Sequence, residues 1–128
     1  MNIHERIEEL SQIGRNEDGS IYRKAGRREY YDAVNLVSEW MIADGMNTHV
    51  DEYNNLIGTI PGTDPDAKPI VVGSHIDTVP TGGKYDGVLG VLGGMEAAKR
   101  LKGTTKNTIQ VVAFYDEEDS MSGSIGFT

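Results

Sequence analysis

Two apolar segments of the sequence are each followed by side chains that can hold a metal ion or move a proton. Residues 69–74 lead into His75 and Asp77. Residues 108–115 lead into four consecutive acids at 116–119. Carboxylates packed together and partly removed from water repel one another, so some would have to be protonated. A divalent cation removes that conflict, and a histidine beside several carboxylates suits Zn²⁺ or Mn²⁺. The alternative is a solvated acidic loop, the usual state of a charge run.

The elements around these residues predict that they meet at one edge of a sheet. Residues 69–74 and 108–115 are predicted buried strands, and residues 88–101 between them a buried helix. This order is typical of a βαβ unit with parallel strands. Ligands of open α/β sheets bind beyond the carboxyl ends of the strands. The side chains expected at that rim are His75, Asp77, Asp86, Glu117 and Glu118.

The first half of the chain predicts a scaffold of two helices and a hairpin. Helical spacing of apolar residues predicts helices over 2–13 and 28–44, which Gly14 and Gly45 end. The loop between them, residues 15–27, carries four Arg or Lys side chains, which we expect on a solvated surface. Residues 47–51 and 55–60 predict a hairpin around Asn54-Asn55, and residues 61–68 a turn. Trp40 and Met41 are expected in the core.

Other candidate sites are weaker. Gly87 to Gly94 superficially suggests a dinucleotide loop, but it lacks the Gly-x-Gly core, so its glycines are assigned to helix packing. His4 and His49 have no partners nearby in sequence and are expected at the surface. Lys84 and Tyr85 are interpreted as loop residues, although they could line the site.

Composition excludes several classes of protein. The chain has 128 residues with 12 basic and 20 acidic side chains, a net charge of −8, and no cysteine. Without cysteine there is no disulfide scaffold, zinc ribbon or thiol nucleophile. A surface for nucleic acid or an anionic membrane would need the opposite charge. With no targeting segment or membrane span in the sequence, we expect a cytoplasmic protein.

The stretch from Gly73 to Gly87, GSHIDTVPTGGKYDG, closely resembles the metal-binding stretch of the M20 family of metallo-amidohydrolases. More narrowly, it is similar to the branch of N-carbamoyl-L-amino acid hydrolases, β-ureidopropionases and allantoate amidohydrolases, whose pattern is matched through Val91. Glu117-Glu118 matches the Glu pair of the family, and Asn55-Leu56 also stands where this branch tends to have it. The resemblance implies an α/β fold, the N-terminal part of a zinc-peptidase-like catalytic domain with a mixed or parallel sheet flanked by helices.

Each site residue takes its expected role from the resemblance. His75 would bind one metal ion, Asp86 would bridge two, and Glu118 would bind the second. Asp77 would orient His75 and fix its tautomer. Glu117 would be the general base that activates water and passes the proton to the leaving nitrogen. The complete enzyme would hold two divalent ions, Zn or Mn, with partial or no occupancy expected in this chain.

The sequence also departs from the family. Residues Asp119 to Ser122 read Asp-Ser-Met-Ser where the branch usually has Gly-Ser-Arg-Phe. Family members are several times longer and add further histidine ligands and a second domain for dimer contacts and substrate recognition. We therefore expect residues 1–128 to be a partial catalytic domain, without the dimerisation domain and the remaining catalytic segment, and inactive alone. An unpaired sheet edge leads us to expect self-association.

The resemblance implies a binuclear metal-dependent hydrolase of non-peptide C–N bonds. Its substrate would be a small ureido or amide compound, an N-carbamoyl-L-amino acid or allantoate, and full-length members would be homodimers. One alternative is an M20 peptidase, which the short spacing between Pro80 and Asp86 disfavours. The other alternative is an inactive folded fragment with a structural or assembly role.

Overall fold

The computed structural model describes residues 1–118, which form three helices and one four-stranded sheet. The helices are α1 (Ile3–Leu10), α2 (Arg28–Ala43) and α3 (Val88–Leu101). The strands are β1 (Asn47–Val50), β2 (Leu56–Ile60), β3 (Ile70–Ser74) and β4 (Ile109–Ala113). Within this described part, no helix combines the length and the apolar character needed to cross a membrane.

The sheet is mixed, with strand order β1-β2-β4-β3. Strand β3 runs parallel to β4, whereas β2 pairs antiparallel with both β4 and β1. Helix α3 connects the two parallel strands and packs against both of them. The predicted βαβ unit and the predicted α/β class are therefore confirmed. The carboxyl ends of β3 and β4 meet in register, with Ser74 opposite Ala113.

Strand β3 differs from its prediction as a buried strand. Ile70 is 46% exposed and Val71 43% exposed. The reason is position, because among the described residues β3 pairs only with β4 and forms an edge of the sheet. Strand β4 has neighbours on both sides, and Val111 and Val112 are fully buried as predicted.

The helices and the hairpin otherwise follow their sequence signals. Helix α1 ends at Leu10, three residues before the predicted end, and turns continue the chain to Gly14, which adopts a φ of +81°. Helix α2 matches its predicted span within one residue. The predicted hairpin is confirmed, and Asn54 takes the left-handed conformation, with a φ of 67°, in its turn. Trp40 and Met41 are buried, as expected.

Two glycines allow α3 to lie close to β3. A Cβ atom at Gly90 would lie 2.7 Å from the Ser74 side chain, and one at Gly94 would lie 2.9 Å from Val72. The assignment of these glycines to helix packing agrees with this geometry. Their close approach brings the start of α3 to the carboxyl end of β3, where the candidate site residues lie.

Candidate metal centre

The His75 ring is held at the end of β3 by the next acidic residue along the chain. The side chain is buried, and its Nδ1 lies 2.9 Å from the Asp77 carbonyl oxygen and 3.4 Å from Asp77 Oδ1. Both neighbours accept hydrogen bonds, so we assign a proton to Nδ1. The other ring nitrogen, Nε2, is then the one that can act as a metal ligand once its own proton is lost.

Three carboxylates surround the His75 Nε2 atom. It lies 3.8 Å from Asp86 Oδ1, 3.6 Å from Glu117 Oε2 and 3.5 Å from Glu118 Oε1. One ligand atom each from His75, Asp86 and Glu118 lies within 4.8 Å of the others. The structure thus brings together all five residues that the sequence placed at this rim.

Asp77 connects the ends of the two parallel strands. Its carboxylate is buried and accepts hydrogen bonds from the backbone amides of Glu118, at 2.9 Å, and Glu117, at 3.3 Å. Just before them, Asp116 adopts a φ of 57°, which turns the chain after β4. One side chain therefore orients both the imidazole and the segment that carries the Glu pair.

The site is open to solvent on the carboxylate side. The side chains of Asp86 and Glu117 are 59% and 48% exposed, whereas that of Glu118 is 22% exposed. The imidazole and the Asp77 carboxylate are buried behind them. Because Asp86 and Glu117 are exposed in front of this buried pair, a small polar substrate can reach the cluster from solvent.

Hydrogen bonding and burial shift the ionisation of the cluster. The hydrogen bond to the Asp77 side chain raises the pKa of His75 to about 9, although burial opposes this rise. Burial alone would raise the pKa of Asp77, but its hydrogen bonds to His75 and to the Glu118 amide lower it overall. Burial and the neighbouring Glu117 charge raise the pKa of Glu118.

This cluster fits a divalent cation. An imidazole nitrogen and two carboxylates are a donor set that Zn²⁺ and Mn²⁺ both accept. Burial raises the pKa of Glu118 most, and repulsion from neighbouring carboxylates adds to the rise; a cation would offset both. His75, Asp86 and Glu118 are the side chains placed to hold it, and the Asp77 contact is the kind that commonly orients a metal-binding histidine.

Two buried residues behind the site were missed or undervalued in the sequence. Arg23 was expected on a solvated loop, and that prediction is wrong, because the structure buries the side chain completely. Its segment has no regular periodicity, and its partners are backbone carbonyls, which leave no signal in the sequence. Asn55 lies in the predicted hairpin turn and in the family pattern. It is fully buried, and its Oδ1 accepts the Tyr115 amide at 2.8 Å.

The remaining candidates lie elsewhere. His4 and His49 are exposed, as expected. Lys84 pairs with Glu8 of α1, and Tyr85 is exposed in the loop before α3. The segment Asp119 to Ser122 lies outside the described residues. A surface cavity between the start of α1 and the end of α3 contains none of the five site residues.

Comparison with known proteins identifies the family. The model of peptidase family M28 matches residues 55–128. An N-carbamoyl-L-amino-acid amidohydrolase of Pseudomonas sp. (strain NS671) is 42% identical over 123 residues, covering 94% of this chain and 29% of that protein. An allantoate amidohydrolase of Bacillus subtilis (strain 168) is 42% identical over 122 residues, covering 93% of this chain and 30% of that protein. The chain therefore spans under a third of the length of these relatives.

Solved structures agree with the sequence relatives. A hydantoinase/carbamoylase family amidase from Burkholderia ambifaria superposes with a TM-score of 0.87 at 31% identity, over 92% of this chain and 30% of that one. The relatives carry the names that the resemblance predicted, which confirms that expectation, although the matching family model is described as M28 and not as M20. By that family model, the chain belongs to peptidase family M28.

Proposed function

We propose that this chain supplies the metal centre of an amidohydrolase that cleaves a non-peptide amide or ureido C–N bond. The observation that carries the proposal is the His75 Nε2 atom, which faces three carboxylates while Asp77 fixes the opposite side of the ring. The relatives named for N-carbamoyl-L-amino acids and for allantoate support a small ureido substrate of that kind. Because the chain spans about 30% of the second relative, we propose that residues 1–128 are part of a larger catalytic domain.

The metal ligands in this proposal are His75, Asp86 and Glu118. In the complete site, two ions of Zn or Mn would be held, with Asp86 between them. When bound, such ions act as Lewis acids that polarise a carbonyl oxygen, which matters because amide and ureido carbons are poor electrophiles. The raised pKa of Glu118 supports the assignment, since burial and the Glu117 charge disfavour its ionised form, which a nearby cation would stabilise.

Glu117 is the general base in this proposal. Its side chain is half exposed, and its backbone is held by the Asp77 carboxylate. It can therefore reach a water molecule in the opening while its main chain stays fixed. It would take a proton from the attacking water as the new C–O bond forms. It would then deliver that proton to the nitrogen as the C–N bond breaks.

A second candidate function is an inactive folded domain with a structural or assembly role. The exposed apolar side chains of Ile70 and Val71 favour it, because among the described residues β3 is an edge strand, and an unpaired edge is a surface for pairing. The peptidase alternative has weaker support, since the short segment between Pro80 and Asp86 departs from the peptidase spacing.

The test is ammonia release from N-carbamoyl-L-amino acids and from allantoate, with Mn²⁺ or Zn²⁺ added. Glu117→Gln should abolish release while metal binding, measured by calorimetry, is retained. Glu52→Gln, an exposed acid in the hairpin turn, is the matched control and should keep full activity. Activity that survives Glu117→Gln contradicts the role of Glu117. Hydrolysis of dipeptides instead would favour the peptidase, and a parent chain that neither hydrolyses a substrate nor binds a metal ion would favour the structural role.

A further inference from the structure

Arg23 is a fully buried cation that the proposed chemistry does not use. Its Nε donates to the Ile76 carbonyl at 2.9 Å. Its Nη1 donates to the carbonyls of Leu10, at 3.0 Å, and Ile13, at 2.9 Å. One guanidinium therefore joins the end of α1 and the turn after it to the segment that follows His75.

The backbone of Arg23 also bonds to the segment that follows His75. The Arg23 amide donates to Thr78 Oγ1 at 2.8 Å, and the Thr78 amide donates to the Arg23 carbonyl at 2.9 Å. Asp77 lies between Ile76 and Thr78, and Arg23 bonds to both. The peptide units on either side of the Asp77 carboxylate are thus fixed by a single residue.

The charge of Arg23 has no ion-pair partner among the described residues, unlike that of the other buried arginine. Arg6 forms two hydrogen bonds with the Asp44 carboxylate, at 2.7 and 2.9 Å. Arg23 instead bonds to neutral carbonyl oxygens, and the charge it senses most is that of Asp77. Burial lowers the pKa of Arg23 to about 10, and the Asp77 charge opposes that fall, so the guanidinium is charged at neutral pH. Burying a charge this way is costly, which calls for a role.

We propose that Arg23 is a positioning residue for the metal centre. By fixing the peptide units on both sides of Asp77, it keeps the carboxylate where it meets both the His75 ring and the Glu118 amide. The expected effect of Arg23 on metal binding rests on the proposed function, whereas its effect on the geometry of Asp77 does not. Arg23 acts through Asp77 and contacts no ligand atom itself.

The first experiment measures the affinity for Zn²⁺ and Mn²⁺ by calorimetry in Arg23→Lys and Arg23→Met. Met has no donor, and the single Lys nitrogen cannot stand at the positions of both Nε and Nη1. Both variants should therefore bind the ions about 10- to 100-fold more weakly, the usual effect of losing support behind a ligand. Arg6→Met is the matched control, since it removes a buried arginine that contacts Asp44 and Trp40, which are not site residues, and it should leave the affinity within about twofold. If either Arg23 variant binds the ions as tightly as the parent does, the proposal is overturned.

The second experiment needs no metal ion and separates this proposal from the proposed function. Hydrogen exchange of the Glu117 and Glu118 amides is followed by NMR, relative to the Val111 and Val112 amides of β4. In the Arg23 variants the Glu amides should exchange at least about tenfold faster relative to β4, and the His75 ring ¹⁵N shifts should change. In Arg6→Met both should match the parent. If the parent chain binds no ion, the proposed metal centre is contradicted. The hydrogen-exchange result still tests the positioning role of Arg23.

If both Arg23 variants fail to fold, Thr78→Val tests the same connection. It keeps the side-chain shape and removes the hydroxyl that accepts the Arg23 amide and donates to the carbonyl of Ile21 in the same segment. Thr78→Ser keeps that hydroxyl and is its control. Faster exchange of the Glu118 amide in Thr78→Val than in Thr78→Ser supports the proposal, and equal exchange in the two overturns it.

Discussion

The Asp77 carboxylate accepts the Glu118 backbone amide at 2.9 Å, across 41 residues of sequence. The same side chain orients His75, so the loop after β3 and the loop after β4 are joined at one buried group. This explains why one imidazole nitrogen and three carboxylates converge without any regular element running through the site. The arrangement depends on the parallel pairing of β3 with β4, which places both loops at the same edge.

Replacing Asp77 by Asn should therefore disrupt the site more than it disrupts the fold. The amide keeps the size of the carboxylate but loses its charge and one acceptor for the Glu117 and Glu118 amides. We expect metal affinity to fall about 10- to 100-fold in a calorimetric titration. Asp66→Asn, at an exposed turn, serves as the control and should bind like the parent. Equal affinities in the two variants would show that Asp77 does not orient His75.

Metal binding should release protons near neutral pH. The pKa of His75 is raised to about 9 in the metal-free chain, so at pH 7 the ring carries a proton that an ion must displace. The apparent affinity should rise with pH by up to about tenfold per unit as far as about pH 9, and then level off. Calorimetry in buffers of different ionisation enthalpy counts the protons released, with about one expected from His75 at pH 7.

His49→Gln gives the control for this proton count, because His49 is exposed and remote from the site. The variant should release as many protons as the parent. The usual pKa of histidine is about 6.5, and that of His75 is raised to about 9. A metal affinity that stays constant between these two pH values would contradict the proposed protonation state of His75.

Asn55 should matter for stability although it contacts no proposed ligand. Its side chain accepts the Tyr115 amide and donates to Asp51 Oδ2 at 3.1 Å, inside the hairpin turn. Asn55→Ala leaves buried polar groups unpaired, and we expect a loss of about 1–3 kcal/mol in the free energy of unfolding, measured with urea. Asn35→Ala, on the exposed side of α2, should change it by less than about 0.5 kcal/mol. Similar losses in the free energy of unfolding for Asn55→Ala and Asn35→Ala would contradict this role of Asn55.

Gly87 and Gly93 give a contrasting pair at the start and middle of α3. Gly87 has a φ of +77°, and a Cβ there would collide with His75. Gly87→Ala should therefore weaken both folding and metal binding. Gly93 has open space around its Cβ position, so Gly93→Ala should stabilise the helix by up to about 1 kcal/mol and leave binding unchanged. Thermal unfolding with and without Zn²⁺ measures both effects. Normal binding by Gly87→Ala would contradict the close approach to His75.

The sequence predicts the βαβ unit and the convergence of the five rim residues, for two physical reasons. Apolar periodicity marks α2, α3 and β4 because each buries one continuous face or run. His75, Asp77 and the Glu pair follow strand ends, where parallel topology brings them together, whereas Asp86 lies just before α3. The exposure of β3 was not predictable in this way, because it follows from the order of strands in the sheet and not from the strand's own residues. Arg23 was missed because its burial depends on carbonyls of distant segments.

The most direct measurement is a calorimetric titration of the chelator-stripped chain with Zn²⁺ and Mn²⁺, beside Asp86→Ala and the exposed control Asp66→Ala. The account predicts binding in the parent and in Asp66→Ala, and its loss in Asp86→Ala, because Asp86 supplies one of the three converging ligand atoms. Binding that persists unchanged in Asp86→Ala, or a parent that binds neither ion, would contradict the metal centre proposed for His75, Asp86 and Glu118.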